Sequence, residues 1–269
     1  MSRRTRDLLQ EVGSVAVEPF IASAFAAAGL ADPHLSGLAV LAPWAVGFAN
    51  YALAEMTSRK LSEREQLRFR RAAGFALARI QERLSGGDKP RNDEFFARDG
   101  GRSSAQELFE GVLVKSLGCY EERKVQYLGL LFANVVFDNT SAQTANWMLM
   151  LIEQMTYRQL CIVAVLSRGF PLREEPFTAG IMGMDDPRRK VYEDSALMTV
   201  LSETRWLLAN GLALSHGSAF IDDLTTIAPS TLGLTFLGHM LARILDLDRI
   251  PDEDLAGVLE KLGVTRQNV

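Results

Sequence analysis

Apolar residues dominate two long stretches between Glu121 and Leu166, and the polar residues 138–141 separate them. From Val125 to Phe137 only three residues carry a polar side-chain group. A third apolar segment follows Thr156. Helices that are apolar on nearly every face are usually buried on nearly every face. The pattern therefore predicts a central helical hairpin at the core of the fold, followed by a third helix.

Another apolar segment, Leu35–Ala54, lies nearer the N-terminus and contains no charged residue. The interval between Asp32 and Glu55 is 22 residues long, which is enough to cross a bilayer. Its alanines and glycines are only weakly hydrophobic on insertion scales, and Asn50 is polar, which favours a buried or conditionally exposed helix over a constitutive span. In either case, the side chains expected to contact a membrane or a partner are Leu38, Leu41, Trp44, Val46 and Phe48.

A basic amphipathic helix is predicted at Ser62–Leu84, where Ser62 and Glu65 have the spacing of a capping box. Apolar residues form one stripe along it, and arginines occupy the other faces. From Arg59 to Arg83 there are eight basic and three acidic residues. Such a face is either simply solvated or suited to an anionic membrane surface. The residues expected to contact anionic head groups are Arg64, Arg68 and Arg71.

The remaining segments complete a mostly α-helical architecture. A helix with a second capping box, at Ser104 and Glu107, should precede the central hairpin. After it we expect a helix at Lys190–Asn210 with Gly211 as its left-handed cap. Two short strands, a helix from Pro229-Ser230 to Leu245 and a last helix from Pro251 to Leu262 should follow. The predicted strands are Leu212–Ser215 and Ala219–Ile227.

We therefore expect a multi-helix bundle with an apolar N-terminal helical hairpin and a C-terminal winged-helix-like module containing a small two-stranded β wing. The expected division is residues 1–85 for the apolar N-terminal region with the basic helix, 86–103 for a linker, 104–168 for the central hairpin core and 169–269 for the winged-helix-like module.

Composition excludes several classes of protein. The net charge of −4 provides no overall basic field for nucleic acid. Cys119 and Cys161 lie in apolar helical surroundings, so we interpret them as small buried hydrophobic residues. The N-terminal arginines precede apolar residues as in a secretory signal, but acidic residues such as Asp7 interrupt the pattern. We therefore predict an uncleaved first helix.

Residue patterns typical of catalysis are missing from the sequence. None of the three histidines has a partner at metal-ligand spacing, and no phosphate loop, dinucleotide fingerprint or nucleophile elbow is present. We therefore expect neither an enzyme nor a metal or other cofactor. An active site assembled from distant residues would leave no local pattern, however. In the winged module, the basic cluster Arg188, Arg189 and Lys190 could contact nucleic acid. The acids Asp222 and Asp223 would repel phosphate, so a packing or oligomerisation role is favoured.

Four segments together resemble the bacterial abortive-infection alpha family. They are Lys124–Asn134 (KVQYLGLLFAN), Leu151–Thr156 (LIEQMT), Leu207–Ala213 (LLANGLA) and Ile227–Gly233 (IAPSTLG). The resemblance covers residues 104–245 and rests on the order and spacing of mainly apolar residues. The family is linked to anti-phage defence and lacks an established catalytic site, so the resemblance implies no catalytic residue in this chain.

The resemblance implies a cytoplasmic, helical defence protein that acts by interaction. The function hypothesis is a non-enzymatic abortive-infection component that contacts an anionic membrane surface, a second copy of itself or another protein, in the cytoplasm or at the inner membrane. One alternative is a winged-helix regulator that binds DNA. Another is a helical oligomeric scaffold without membrane contact. Nucleic acid is not the expected partner.

Overall fold

The computed structural model describes residues 24, 43–97, 101–177, 193–216 and 228–263. The chain divides into two compact units, Met1–Gln154 and Met155–Val269. The helices of the first unit are α1 (Pro43–Ser58), α2 (Glu63–Ser85), α3 (Ser104–Leu117), α4 (Val125–Val135) and α5 (Ala142–Gln154). Two 3₁₀ turns, Glu94–Phe96 and Glu122–Lys124, lie between them.

Helix α2 packs directly against α4. The apolar stripe predicted for α2 is buried from Phe69 to Ile80, and alanines make up much of it. Opposite them, α4 presents Gly129, where an added Cβ would lie 3.1 Å from the backbone nitrogen of Ala76. The two helix backbones therefore meet with almost no side chain between them. The capping box at the start of α2 is confirmed, because the amide of Ser62 donates to Oε2 of Glu65 at 2.8 Å.

Aromatic side chains fill the centre of the first unit. The ring centroid of Phe48 lies 5.3 Å from that of Phe109 and 4.9 Å from that of Phe132. Phe96, which the sequence places in a linker, lies 6.4 Å from Phe48, and the neighbouring Phe95 is buried. Aromatic pairs at such distances stabilise a core beyond the area that they bury. Both α1 and the residues around Phe95 thus belong to the core of the first unit.

The predicted capping box of α3 is displaced by one residue. Ser103, not Ser104, is the N-cap, and its hydroxyl accepts a hydrogen bond from the amide of Gln106 at 3.2 Å. The side chain of Gln106 in turn accepts from the amide of Ser103. The sequence Ser-Ser-Ala-Gln-Glu contains two overlapping capping boxes, and the structure uses the earlier one.

The second unit is also mainly helical. Its elements are α6 (Tyr157–Arg168), α7 (Ser195–Ala209), β1 (Ala213–Ser215), β2 (Leu232–Leu234), α8 (Phe236–Ile244) and α9 (Asp252–Leu262), with 3₁₀ turns at Pro229–Thr231 and Leu247–Arg249. Thr156 caps α6 and forms a capping box with Gln159. Seven consecutive residues of α6, Gln159–Val165, are buried, so this helix forms the centre of the second unit.

The expectation of a mostly α fold with a small β wing is confirmed. Strand β1 pairs with β2 in antiparallel register, with Leu214 opposite Gly233. Gly211 adopts a left-handed conformation with φ of 68° just after α7, as predicted for the helix cap. The predicted strand Ala219–Ile227 lies outside the described residues.

The helix predicted to begin at Pro229-Ser230 begins later. Pro229–Thr231 forms a 3₁₀ turn, Leu232–Leu234 is strand β2, and α8 begins after its cap Thr235. The hydroxyl of Thr235 accepts from the amide of Gly238 at 3.1 Å. The earlier residues are drawn into strand geometry because β1 offers them a ladder of backbone hydrogen bonds.

Candidate functional site

Three arginines of α2 converge on one carboxylate at the surface of the first unit. Arg64, Arg68 and Arg71 recur at helical spacing, so they share one face of α2. Glu122, in the 3₁₀ turn that precedes α4, faces them. Its Oε1 lies 3.5 Å from Nε of Arg64 and 3.2 Å from Nε of Arg68, and its Oε2 lies 3.8 Å from Nη1 of Arg71. We refer to these four residues as the arginine site.

Arg68 is the fixed member of the arginine site. Its Nη1 donates to the carbonyl oxygen of Leu117, the last residue of α3, at 3.0 Å, and its Nε donates to Glu122. The side chain of Arg68 is only 12% exposed, whereas that of Arg64 is 73% exposed. The arrangement therefore contains one positioned guanidinium and, at its edge, one that reaches into solvent.

Positive charge exceeds negative charge in the arginine site. Three guanidinium groups surround a single carboxylate, which leaves an excess of two positive charges. Among the side chains that the structure describes, Nε of Arg71 is buried without a hydrogen-bond partner, and so is Nε of the adjacent Arg70. Buried donors in proteins are nearly always paired, so these two donors show that the hydrogen-bonding capacity of the arginines is not fully used.

Apolar side chains are exposed next to these charges. Leu67 lies on α2 between Arg64 and Arg71 and is 45% exposed. Tyr120 lies two residues before Glu122 and is 73% exposed. Tyrosine and leucine beside arginine are the side chains typical of a surface that lies in a membrane interface.

The structure describes two of the five side chains of Leu35–Ala54 that were predicted to contact a membrane or a partner. Phe48 is buried in the aromatic core, and Val46 is half-buried on α1. Leu38, Leu41 and the side chain of Trp44 lie outside the described residues.

The basic cluster proposed for nucleic acid, Arg188, Arg189 and Lys190, also lies outside the described residues. Of the predicted site residues, the structure brings together Arg64, Arg68 and Arg71. Glu122 and Tyr120 were not predicted.

No family model matches the chain, and no curated protein or solved structure matches it either.

Within the described ranges, no single helix is long and apolar enough to cross a membrane.

Other polar groups in the described ranges stabilise the two units. In the second unit, the hydroxyl of Thr156 donates to the buried Glu203 at 2.7 Å, and Arg158 pairs with the same carboxylate. Cys119 and Cys161 are both buried and neither forms a disulfide, which confirms the interpretation made from the sequence. Burial raises the pKa of the Cys119 thiol above its ordinary value. The described histidines, cysteines and carboxylates include no group of three that could hold a metal ion.

Proposed function

We propose that this protein is a non-enzymatic interaction protein that docks on an anionic membrane surface through the arginine site, as a component of abortive-infection-type anti-phage defence. The observation that carries the proposal is the convergence of Arg64, Arg68 and Arg71 on one carboxylate. An anionic surface would meet an excess of positive charge there, with the exposed side chains of Leu67 and Tyr120 beside it.

The strength of such docking follows from the charges. A basic residue near an anionic leaflet contributes about 1 kcal/mol, so an excess of two charges favours anionic over neutral vesicles by about 2 kcal/mol, roughly 30-fold. A single copy would therefore bind weakly and reversibly. Several copies on one membrane would bind much more tightly, because their contacts act together. We therefore propose a homo-oligomer as the form that docks.

Docking through the arginine site does not require α1 to leave the core of the first unit. Ala45, Phe48 and Ala49 are buried in the first unit, and Phe48 contacts both Phe109 and Phe132. Inserting this helix into lipid would first expose those rings to water, at the cost of the burial energy of large aromatic side chains. Peripheral docking through α2 requires no such rearrangement, so the proposal assigns membrane contact to the arginine site and not to α1.

The defence role rests on the resemblance of residues 104–245 to the abortive-infection alpha family. It is tested by plating phage on bacteria that express the wild-type chain or its Arg64→Gln/Arg71→Gln variant. We expect the wild type to reduce plaque formation and the variant, at equal abundance, to lose that protection. Equal protection by both chains would contradict a role for the arginine site in defence.

The matched control neutralises three exposed basic residues elsewhere, Lys89→Gln, Arg205→Gln and Arg243→Gln. This control removes more charge from the whole chain than the test variant and leaves the arginine site intact. It should protect as well as the wild type does. The DNA-binding alternative stays a prediction, because its basic cluster lies outside the described residues.

A further inference from the structure

Glu122 engages few of the hydrogen-bond donors of the arginines that surround it. Its carboxylate accepts one hydrogen bond, from Nε of Arg68 at 3.2 Å. Its distances to Arg64 and Arg71 are 3.5 and 3.8 Å, longer than the 2.7–2.9 Å of charge-assisted hydrogen bonds. The guanidinium of each arginine carries five N–H donors, whereas a carboxylate has only two oxygens. Much of the donor capacity of the site is therefore unused.

A phosphate group would fit the same arginines better. It offers more acceptor oxygens than a carboxylate, and arginine forks bind phosphate in bidentate fashion. The side chain of Arg71 is 31% exposed, so its guanidinium can be reached by such a group from the surface. Charge complementarity also favours it, because the site keeps two positive charges in excess while Glu122 is present.

The fold allows Glu122 to leave without dismantling the site. Its side chain is 32% exposed, and Glu122 is the first residue of a 3₁₀ turn of only three residues, Glu122–Lys124. Arg68 keeps its hydrogen bond to the carbonyl oxygen of Leu117 when the carboxylate moves away. Arg68 therefore stays positioned between α2 and α3, and this preorganisation strengthens binding.

We infer that Glu122 is an internal counter-ion that occupies the arginine site, and that the phosphate of an anionic lipid head group displaces it when the protein docks. The inference rests on the proposed membrane docking and adds its regulation: Glu122 competes with the lipid and weakens binding until the local density of head groups is high. Removing the carboxylate should therefore strengthen docking.

The test measures binding to phosphatidylcholine vesicles with and without phosphatidylglycerol by flotation. The variants are Glu122→Gln, which keeps the shape of the side chain, and Glu122→Ala as a second variant. The control is Glu153→Gln on α5, which changes the net charge equally and also removes one ion pair of the first unit, that with Lys115. Circular dichroism establishes that each variant is folded.

We expect Glu122→Gln and Glu122→Ala to bind phosphatidylglycerol vesicles about fivefold more tightly than the wild type, the effect of one charge at an anionic surface. Glu153→Gln should change binding less than twofold. In the Arg64→Gln/Arg71→Gln background, Glu122→Gln should strengthen binding less than it does in the wild-type chain, because only Arg68 remains for the head group to engage.

Three outcomes would overturn the inference. If Glu122→Gln binds like the wild type while Arg64→Gln/Arg71→Gln binds more weakly, docking stands and the counter-ion role falls. If no form binds anionic vesicles, the docking proposal and the inference both fall. If inorganic phosphate stabilises Glu122→Gln against heat but Glu122→Gln binds anionic vesicles no more tightly than the wild type, the site takes free phosphate and not a lipid head group.

Discussion

A methyl group added to Gly129 on α4 would overlap the carbonyl oxygen of Ala72 on α2. It would also lie 3.1 Å from the backbone nitrogen of Ala76 and 3.2 Å from Cβ of Phe75. Two helix backbones in contact cannot make room by a change of rotamer. This contact fixes α2 against the core, and α2 in turn presents the arginine site on another face.

Gly129→Ala should therefore lower the free energy of unfolding by about 1–3 kcal/mol or more, the usual cost of overpacking a core. The measurement is thermal unfolding followed by circular dichroism. The matched control is Gly118→Ala, at a right-handed position with φ of −81° and no atom within 4 Å of the added Cβ. Its melting temperature should be unchanged or slightly higher. Equal melting temperatures for the two variants would contradict the close contact of α2 and α4.

The burial of α1 makes a second prediction. Phe48→Ala should lower the free energy of unfolding by about 3–5 kcal/mol, because the ring packs against both Phe109 and Phe132. Tyr120→Ala removes a ring that is 73% exposed and should change stability by less than about 0.5 kcal/mol. Urea unfolding measures both. A Phe48→Ala protein as stable as the wild type would show that α1 is not part of the core.

Local patterns explain why much of the fold could be predicted. The cap of α2 and the left-handed Gly211 depend on residues within a few positions of one another, so the sequence displays them directly. Strand β2 could not be predicted in this way. Its three residues become a strand only through pairing with β1, which lies about twenty positions earlier in the chain.

Part of the candidate site could likewise be predicted from the sequence, and part could not. Helical spacing places Arg64, Arg68 and Arg71 on one face, so their grouping could be inferred from the sequence. Glu122 meets them only because α3 returns the chain to the side of α2, and a contact between residues more than fifty positions apart leaves no local pattern. The described part of Leu35–Ala54 packs into an aromatic core, which explains why it lacks charge. Composition alone could not distinguish such a buried helix from a membrane span.

The cap of α6 makes a third prediction. Thr156 accepts a hydrogen bond from the amide of Gln159 at 3.1 Å and donates one to the buried Glu203. Thr156→Ala removes both contacts and should lower stability by about 1–2 kcal/mol. Thr199→Ala on α7 removes an exposed hydroxyl that bonds only within its own helix turn, and it should have little effect. Similar melting temperatures for the two variants would contradict a structural role for this cap.

Asp93 provides a prediction about pH. Its pKa is lowered chiefly by hydrogen bonds from Arg91, whose Nε lies 2.8 Å from Oδ2 of Asp93. Because the folded state favours the ionised form, this carboxylate stabilises the protein above the unfolded pKa of about 3.9. That contribution is lost as pH falls through the lower pKa of the folded state.

Arg91→Gln should therefore raise the pKa of Asp93 toward the ordinary value of an aspartate. Carboxyl carbon shifts in an NMR titration measure the change directly. Asp194 is the internal control: its pKa is lowered by the amide of Leu197 and by Lys261, neither of which the substitution changes. A titration of Asp93 that does not move in the variant would show that Arg91 does not stabilise its charge.

Flotation of the wild type and of Arg64→Gln/Arg71→Gln with phosphatidylglycerol-containing vesicles tests the proposed docking most directly. The basic residues of the control variant, Lys89→Gln/Arg205→Gln/Arg243→Gln, are exposed and lie outside the arginine site. We expect the wild type and the control to float with anionic but not neutral vesicles, and binding by Arg64→Gln/Arg71→Gln to fall about 30-fold, the effect of two charges. Equal flotation of the test and control variants, or no flotation of the wild type, would contradict membrane docking through the arginine site.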